Sequence, residues 1–370
     1  MSKYYKASDY YPDDKDIYDF LDSQTRSVTP LLAFLKSRSI FSSKDSDKED
    51  LQNYISLLYF DWDSANKLVN IIDLRETEQK LRHTKYNITA EPHLVKGMSD
   101  FIKNERHDTK RETYNIQSHG DEVDIHVTYL DVDTSKTRVL QKKEKELHIT
   151  ANRTDEGWAF RHTDNERAKE IVDHLVEKLG KTTNQETITE KSIDISHIVD
   201  NKLRVSFFKK AMSDIEGMRL IDVSNIKVDR LIPIHSDSAA DDEENGDQEA
   251  DEELEQKLKK VVMYGADLFT THEFQELVSQ GFHISGAKWK SEKKAGQGEQ
   301  VEFSANFGSP TDGKDFAYKV LGVYRRDDSG ELKQAKEKVY GSEKKEYLSA
   351  LESSAYNALQ SIDGGGDESE

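Results

Sequence analysis

The stretch "HGDEVDIH" places His119, Asp121, Asp124 and His126 close together in the chain. On an extended backbone alternate side chains share a face, so Asp124 and His126 offer two ligands to a divalent cation if a third arrives from another element. Polar residues alternating along the solvated face of a strand account for the same letters without any metal. The run from Asp131 to Lys143, ending "QKK", and Glu331 in "ELK" fit the carboxylate-plus-lysine layout of metal-dependent nucleases. That pattern is short and degenerate in a chain of which 34% is charged. The enzymatic alternative is accordingly a metal-dependent nuclease centred on Asp124 and "QKKEKE". At His272 the letters "HEFQE" lack the second histidine of a helical zinc protease site. With no phosphate-cradling glycine loop, no nucleophile elbow and no cysteine, the expectation is a protein without catalytic residues, metal or cofactor.

Basic and aromatic residues interleave in "KWKSEKK", Lys288 to Lys294, and in "YRR", Tyr324 to Arg326. Lys288, Lys290, Lys293, Arg325 and Arg326 are candidate contacts to nucleic acid or a partner, because stacking combined with phosphate contact grips single strands. Strand alternation sends Lys288 and Lys290 to one face and Trp289 to the other, the pattern of a buried Trp beneath a solvated lysine face.

A third candidate lies near the N-terminus, in "SVTPLLAFLKSRSIFSSKDSDKEDLQNYISLL", Ser27 to Leu58. Ser27 or Thr29 caps a first helix, Pro30 sits in its first turn, and Leu31, Leu32, Phe34 and Leu35 give it an apolar side. Ile40 and Phe41 anchor an extended link. Asp47 or Asp50 then starts a second helix carrying Leu51, Tyr54, Ile55 and Leu58. This layout resembles the helix-extended-helix modules of the SAP and LEM type over roughly thirty-five residues. The resemblance implies contact with DNA or with another component of a chromatin or multiprotein complex, and both partners stand open. Lys36, Arg38 and Lys44 are the candidate contacts. They precede Asp45, Asp47, Glu49 and Asp50, so with Lys48 the local charge sums to zero, whereas a duplex-binding surface draws its affinity from several phosphate contacts.

The elements that must position these groups follow from composition and periodicity. Of 370 residues, 35% are hydrophobic, which predicts slim cores and much solvated surface. The formal charge of −19 repels a phosphate backbone at long range. About half of it sits between Asp241 and Glu255, which hold ten acidic and no basic residues. Residues 235–256 therefore read as an acidic disordered linker held open by self-repulsion, and residues 363–370 as a disordered tail. With no signal-like or membrane-length apolar run, the expectation is a cytoplasmic protein with no membrane partner.

The predicted fold is α+β. A helical domain covers residues 1–110 and contains the module at about 25–60. An α+β domain at 111–234 follows, with Val123, Ile125, Val127 and Tyr129 alternating along one strand and Leu147, Ile149 and Ala151 along another. Its helix "DNERAKEIVDHLVEKLG" is expected to start at Asp164 or Asn165 and to have Gly180 just past its end. A second α+β domain at 257–362 closes with a long helix from Glu331 to Ile362, interrupted near Gly341. The segments "FFKKAMSDIEGMRL" and "HEFQELVSQGFHI" share a helix, a Gly and then a strand, grammar that duplication would also produce. The function expected is a binding or adaptor protein, an accessory subunit of a microbial DNA-processing or defence assembly with a protein partner or DNA. The tether would let the C-terminal domain engage a second partner at raised effective concentration. A purely structural scaffold is the remaining alternative.

Overall fold

The structure, a computed structural model, describes residues 12–25, 27–72, 79–110, 112–185, 187–230, 260–264, 268–294, 298–327 and 329–364. The acidic segment 235–256 and tail residues 365–370 lie outside the described residues. Helices and antiparallel strands both contribute, in keeping with an α+β protein. The chain divides into two compact units, Met1–Thr77 with Glu91–Thr150, and Glu78–Ala90 with Ala151–Glu370.

In the first unit, α1 (Asp14–Gln24), α2 (Val28–Ser37), α3 (Lys48–Ser56) and α4 (Trp62–Ile72) share one apolar core. Phe20, Leu21, Leu31, Phe34, Ile55 and Leu68 are fully buried in it, and Val139 and Leu140 of a short 3-10 turn pack against it. Capping explains where the helices begin. Asp13 and Asp16 form a reciprocal capping box, Asp47 accepts from the amides of Glu49 and Asp50, and Asp61 accepts from Ser64. The same unit carries α5 (Pro92–Lys110), which packs on β2 (Thr113–His119) and β3 (Glu122–Val132). In sheet order β3 lies between β2 and β4 (Lys142–Thr154). The expected period of two holds: Val123, Ile125 and Val127 are buried on β3, as are Leu147, Ile149 and Ala151 on β4.

The second unit orders its strands β5 (Gly157–Thr163), β1 (Leu81–Tyr86), β11 (Lys314–Tyr324), β10 (Gln300–Ser309), β9 (Phe282–Lys293), β7 (Met218–Arg230) and β8 (Lys260–Tyr264), with β6 (Glu190–Ser192) on β1. Helix α6 (Glu166–Thr182), capped by Asn165, packs on β5. Helices α7 (Asn201–Ser213) and α9 (Gly341–Asp363) lie against each other and cover one sheet face, while the short α8 (His272–Ser279) packs on β9. Alternation on β10 presents Val301, Phe303, Ala305 and Phe307 to this core, where Phe207 and Phe208 of α7 meet Phe307 and Phe316.

Four expectations require correction. The boundary at residue 110 does not stand, because β1 leaves the helical region to pair with β5 from Leu81↔Thr163 to Tyr86↔Trp158. Nor do separate α+β domains flank the acidic segment: β7 pairs with β9 from Met218↔Lys293 to Arg230↔Phe282, and one core spans both. The terminal helix starts at Gly341 rather than Glu331, since Leu332 and Glu337 are held in isolated bridges to Arg326 and Val323. Gly180 lies inside α6, where Ile188 packs so closely that an added Cβ would sit 2.5 Å from its Cδ1. The shared grammar of the two segments has a plain physical content: Gly217 (φ 71) and Gly281 (φ 91) both take the left-handed conformation between a helix and a strand.

Candidate functional site

The N-terminal element consists of two short helices with an ordered, non-helical connector. Its first helix ends without glycine. Ser39 takes the left-handed conformation (φ 62), its amide donates to the Lys36 carbonyl at 3.0 Å, and the Ile40 amide reaches back to Leu35 at 2.9 Å. These are the two hydrogen bonds of a Schellman end, and Ile40 supplies the accompanying apolar contact by packing on the helical core. The connector then turns on Ser43, whose Oγ accepts from the Asp45 amide, and is tied by a Ser42–Ser46 hydroxyl contact at 2.9 Å. A segment with neither Gly nor Pro is thus fixed by serines and a helix cap.

Ile40 is an anchor as expected, but Phe41 is not. It is 81% exposed, as is Tyr59, and Leu57 is 72% exposed. Tyr54 on α3 is half-exposed. Arg38, at the end of the first helix, ties it to the chain just past the second: its guanidinium donates to the Tyr59 carbonyl at 2.8 Å and lies 5.7 Å over the Phe60 ring, which stacks on Phe34. Lys36 and Lys44 point into solvent. Of the three expected cationic contacts, therefore, one is held by the fold and two are exposed to solvent. Exposure of Phe41, Leu57 and Tyr59 was missed from the sequence, whose only signal was that "SIF" and "LLYF" carry more apolar residues than two short helices can bury.

The second expected surface is assembled differently from a nucleic-acid groove. Trp289 is buried and stacks on Phe303, while Lys288 is exposed on the opposite side of β9. Lys290 lies 4.6 Å over the Tyr324 ring and Lys293 4.8 Å over Tyr347. Arg325 is gripped by Glu299 and Glu343, each at 2.7 Å, and by Glu337 at 3.2 Å. Arg326 donates to the Gly330 carbonyl at 2.8 Å and lies 3.8 Å from Glu292. Burial works against the Arg325 charge, yet Glu299 and Glu343 together raise its pKa above the ordinary arginine value. Arg325, Arg326 and Lys293, which lies 3.9 Å from Glu299, are already matched by carboxylates, which leaves them little field for phosphate.

In the same unit, Arg82, His83, His162, Lys169, Asp173 and Glu190 line a cleft of about 130 Å³. That is well below the roughly 300 Å³ and more of typical small-molecule sites. Behind it, Arg161 makes a two-point ion pair with Glu352 at 2.5 and 2.7 Å, and Tyr318 donates to the same carboxylate. Burial lowers the pKa of His83 and of His162, whose Nδ1 donates to the Thr163 carbonyl, so both rings are held neutral. This is a structural brace with a small polar mouth.

Asp124 of the expected cation cluster accepts from the Thr150 hydroxyl at 2.7 Å, and Lys145 pairs with Asp131 at 2.6 Å. His126 meets two residues of β4: Glu146, the last residue of the "QKKEKE" segment, and His148, which the sequence does not single out. Among the described residues no helix is long and apolar enough to cross a membrane. In comparison with known proteins, no family model matches the chain, and no curated protein matches it.

Proposed function

We propose that the chain is a non-enzymatic docking protein whose N-terminal helix-link-helix element binds a partner protein. The reading rests on one observation: Phe41, Leu57 and Tyr59 leave large apolar surface in water around an element whose core is otherwise well closed. Exposed aromatic side chains with a cation nearby are the usual anchors of protein interfaces, and a few of them carry most of the binding energy. The likeness to SAP and LEM modules supports a docking role for the same segment. Arg38 holds the Tyr59 backbone, and the exposed Lys36 and Lys44 of the same element favour acidic partners. DNA as the ligand is less well supported, because Arg38 is engaged within the fold and the acids of 45–50 offset the lysines.

The test is site-specific photo-crosslinking from position 41 in the full-length protein. One protein partner is expected, with capture lost on Leu57→Asp or Tyr59→Asp. Capture indifferent to those substitutions would contradict the reading. DNA binding that weakens steeply with salt and disappears in the Lys36→Glu/Lys44→Glu variant would replace it with the DNA alternative. DNA cleavage abolished by Asp124→Ala would make the protein a nuclease.

A further inference from the structure

The solvated face of β3 and β4 carries a group of side chains that the docking reading does not use. Because Ile125 and Val127 point into the core from β3, and Leu147 and Ile149 from β4, the intervening His126, Glu146 and His148 fall on the opposite face. The two strands are neighbours in the sheet. The imidazoles of His126 and His148 lie nearly parallel, 4.2 Å between centroids and 20° apart in plane. His126 Nε2 is 3.2 Å from Glu146 Oε2. One ligand atom from each of the three residues lies within 4.8 Å of the others.

We infer that His126, Glu146 and His148 form a binding site for a divalent transition-metal ion. Donor atoms about 2.0–2.2 Å from a tetrahedral zinc stand about 3.3 Å from one another. The His126–Glu146 contact already has this separation, and a donor atom of His148 lies within 4.8 Å of a donor atom of each of the other two. Two imidazoles and one carboxylate suit Zn²⁺, Ni²⁺, Co²⁺ or Cu²⁺, and disfavour Mg²⁺ and Ca²⁺, which take all-oxygen shells. The pleat provides the preorganisation: Glu146 and His148 are two residues apart on one strand, and His126 faces them from the next. With three protein ligands on an open face, the remaining coordination positions fall to water or to a ligand from elsewhere. The sequence held half of this pattern, since "DIH" on one strand and "ELH" on the other alternate apolar and ligating residues, but no spacing rule says which strands become neighbours.

The experiment is titration of tag-free, full-length protein with ZnCl₂ by calorimetry, alongside Co²⁺ absorption spectra and MgCl₂ as a comparison. One Zn²⁺ per chain with micromolar affinity is expected, and no saturable Mg²⁺ binding. His126→Ala and His148→Ala should each weaken Zn²⁺ at least tenfold, and Glu146→Gln several-fold. His119→Ala, an exposed histidine of β2, should leave binding unchanged. Because the substituted side chains face solvent, the metal-free variants should keep the parent's melting temperature, which separates loss of a ligand from loss of fold. Absence of saturable Zn²⁺ binding, or binding that survives both histidine substitutions, overturns the site.

Discussion

Arg38, which ends the first helix, and Tyr59, just past the second, are joined by a hydrogen bond from guanidinium to main-chain carbonyl at 2.8 Å. The bond fixes the backbone that presents the Tyr59 side chain to solvent, so a cation expected to meet DNA instead orients an exposed aromatic residue. Replacing Arg38 with Ala should cost about 1 kcal/mol of stability in the first unit, a typical net value for one partly exposed hydrogen bond. Partner binding should fall more than Lys36→Ala makes it fall. Equal effects of the two substitutions on binding would argue for plain charge attraction.

Ser39 stands in a left-handed conformation that a side chain enters at a cost of about 1–2 kcal/mol. Ser39→Gly should therefore raise the denaturation midpoint of the first unit, by about 1 kcal/mol in free energy, while Ser39→Val lowers it. Urea unfolding followed by hydrogen exchange at the Ile40 amide reads both changes.

Gly157 opens β5 at φ 138, and a Cβ there would sit 2.2 Å from the Tyr86 carbonyl oxygen of β1. Gly157→Ala should cost about 3 kcal/mol or more, because the clash is with backbone that is itself paired. Gly97 is the contrasting case. It lies inside α5 with no atom within 4 Å of the added carbon, and Gly97→Ala should stabilise by about 0.5–1 kcal/mol. Melting temperatures that move together in the two variants would contradict the geometry.

The Arg161–Glu352 pair is nearly inaccessible on both sides, at 7% exposure each. Glu352→Leu alone leaves a buried guanidinium unmatched and should cost about 3–5 kcal/mol, whereas Arg161→Met with Glu352→Leu should recover much of that loss. A double-mutant cycle by denaturant titration decides, and a double variant no better than the single one would show that Tyr318, on Glu352, and Ser349, whose hydroxyl accepts from Arg161 at 3.0 Å, matter more than the charge pair.

Stability should fall on mild acidification. Burial lowers the pKa of His83, His162 and His283 below the ordinary 6.5, so the unfolded chain takes up protons first as the pH drops. Their contribution is fully present above 6.5 and is lost below it, with a slope of at most about 1.4 kcal/mol per pH unit for each ring. Glu352 adds a second loss at lower pH. Burial pushes its pKa up, but His83, Arg161 and Tyr318 outweigh this and hold it below 4.5, so its share persists above 4.5 and vanishes as the pH falls through the folded value. Urea midpoints from pH 7.5 to 4 should decline throughout, and a flat profile between 7 and 5 would contradict neutral buried histidines.

Local features were readable from sequence where a local rule decides them. Alternation on Val123–Tyr129 and Leu147–Ala151 and the buried Trp289 follow from period and side-chain chemistry, as does a cap at Asp47 or Asp50, of which the structure uses Asp47. What failed was pairing at long range. Nothing in "LRHTKY" says that β1 joins β5 and β11 rather than the helices around it, and nothing near the acidic segment says that β7 meets β9 across it. The same limit hid Glu146 and His148 from His126, and let Arg325 look like a free cation when three glutamates from distant positions enclose it.

The docking claim is tested most directly by measuring the affinity of the partner cross-linked from position 41 for two variants of the full-length protein. Phe41→Ala/Tyr59→Ala should weaken binding about thirtyfold or more, the effect of losing interface anchors, with Lys36→Ala/Lys44→Ala changing it less than threefold at 150 mM salt. The reverse order, a large loss with the lysine pair and little with the aromatic pair, would contradict an apolar docking surface.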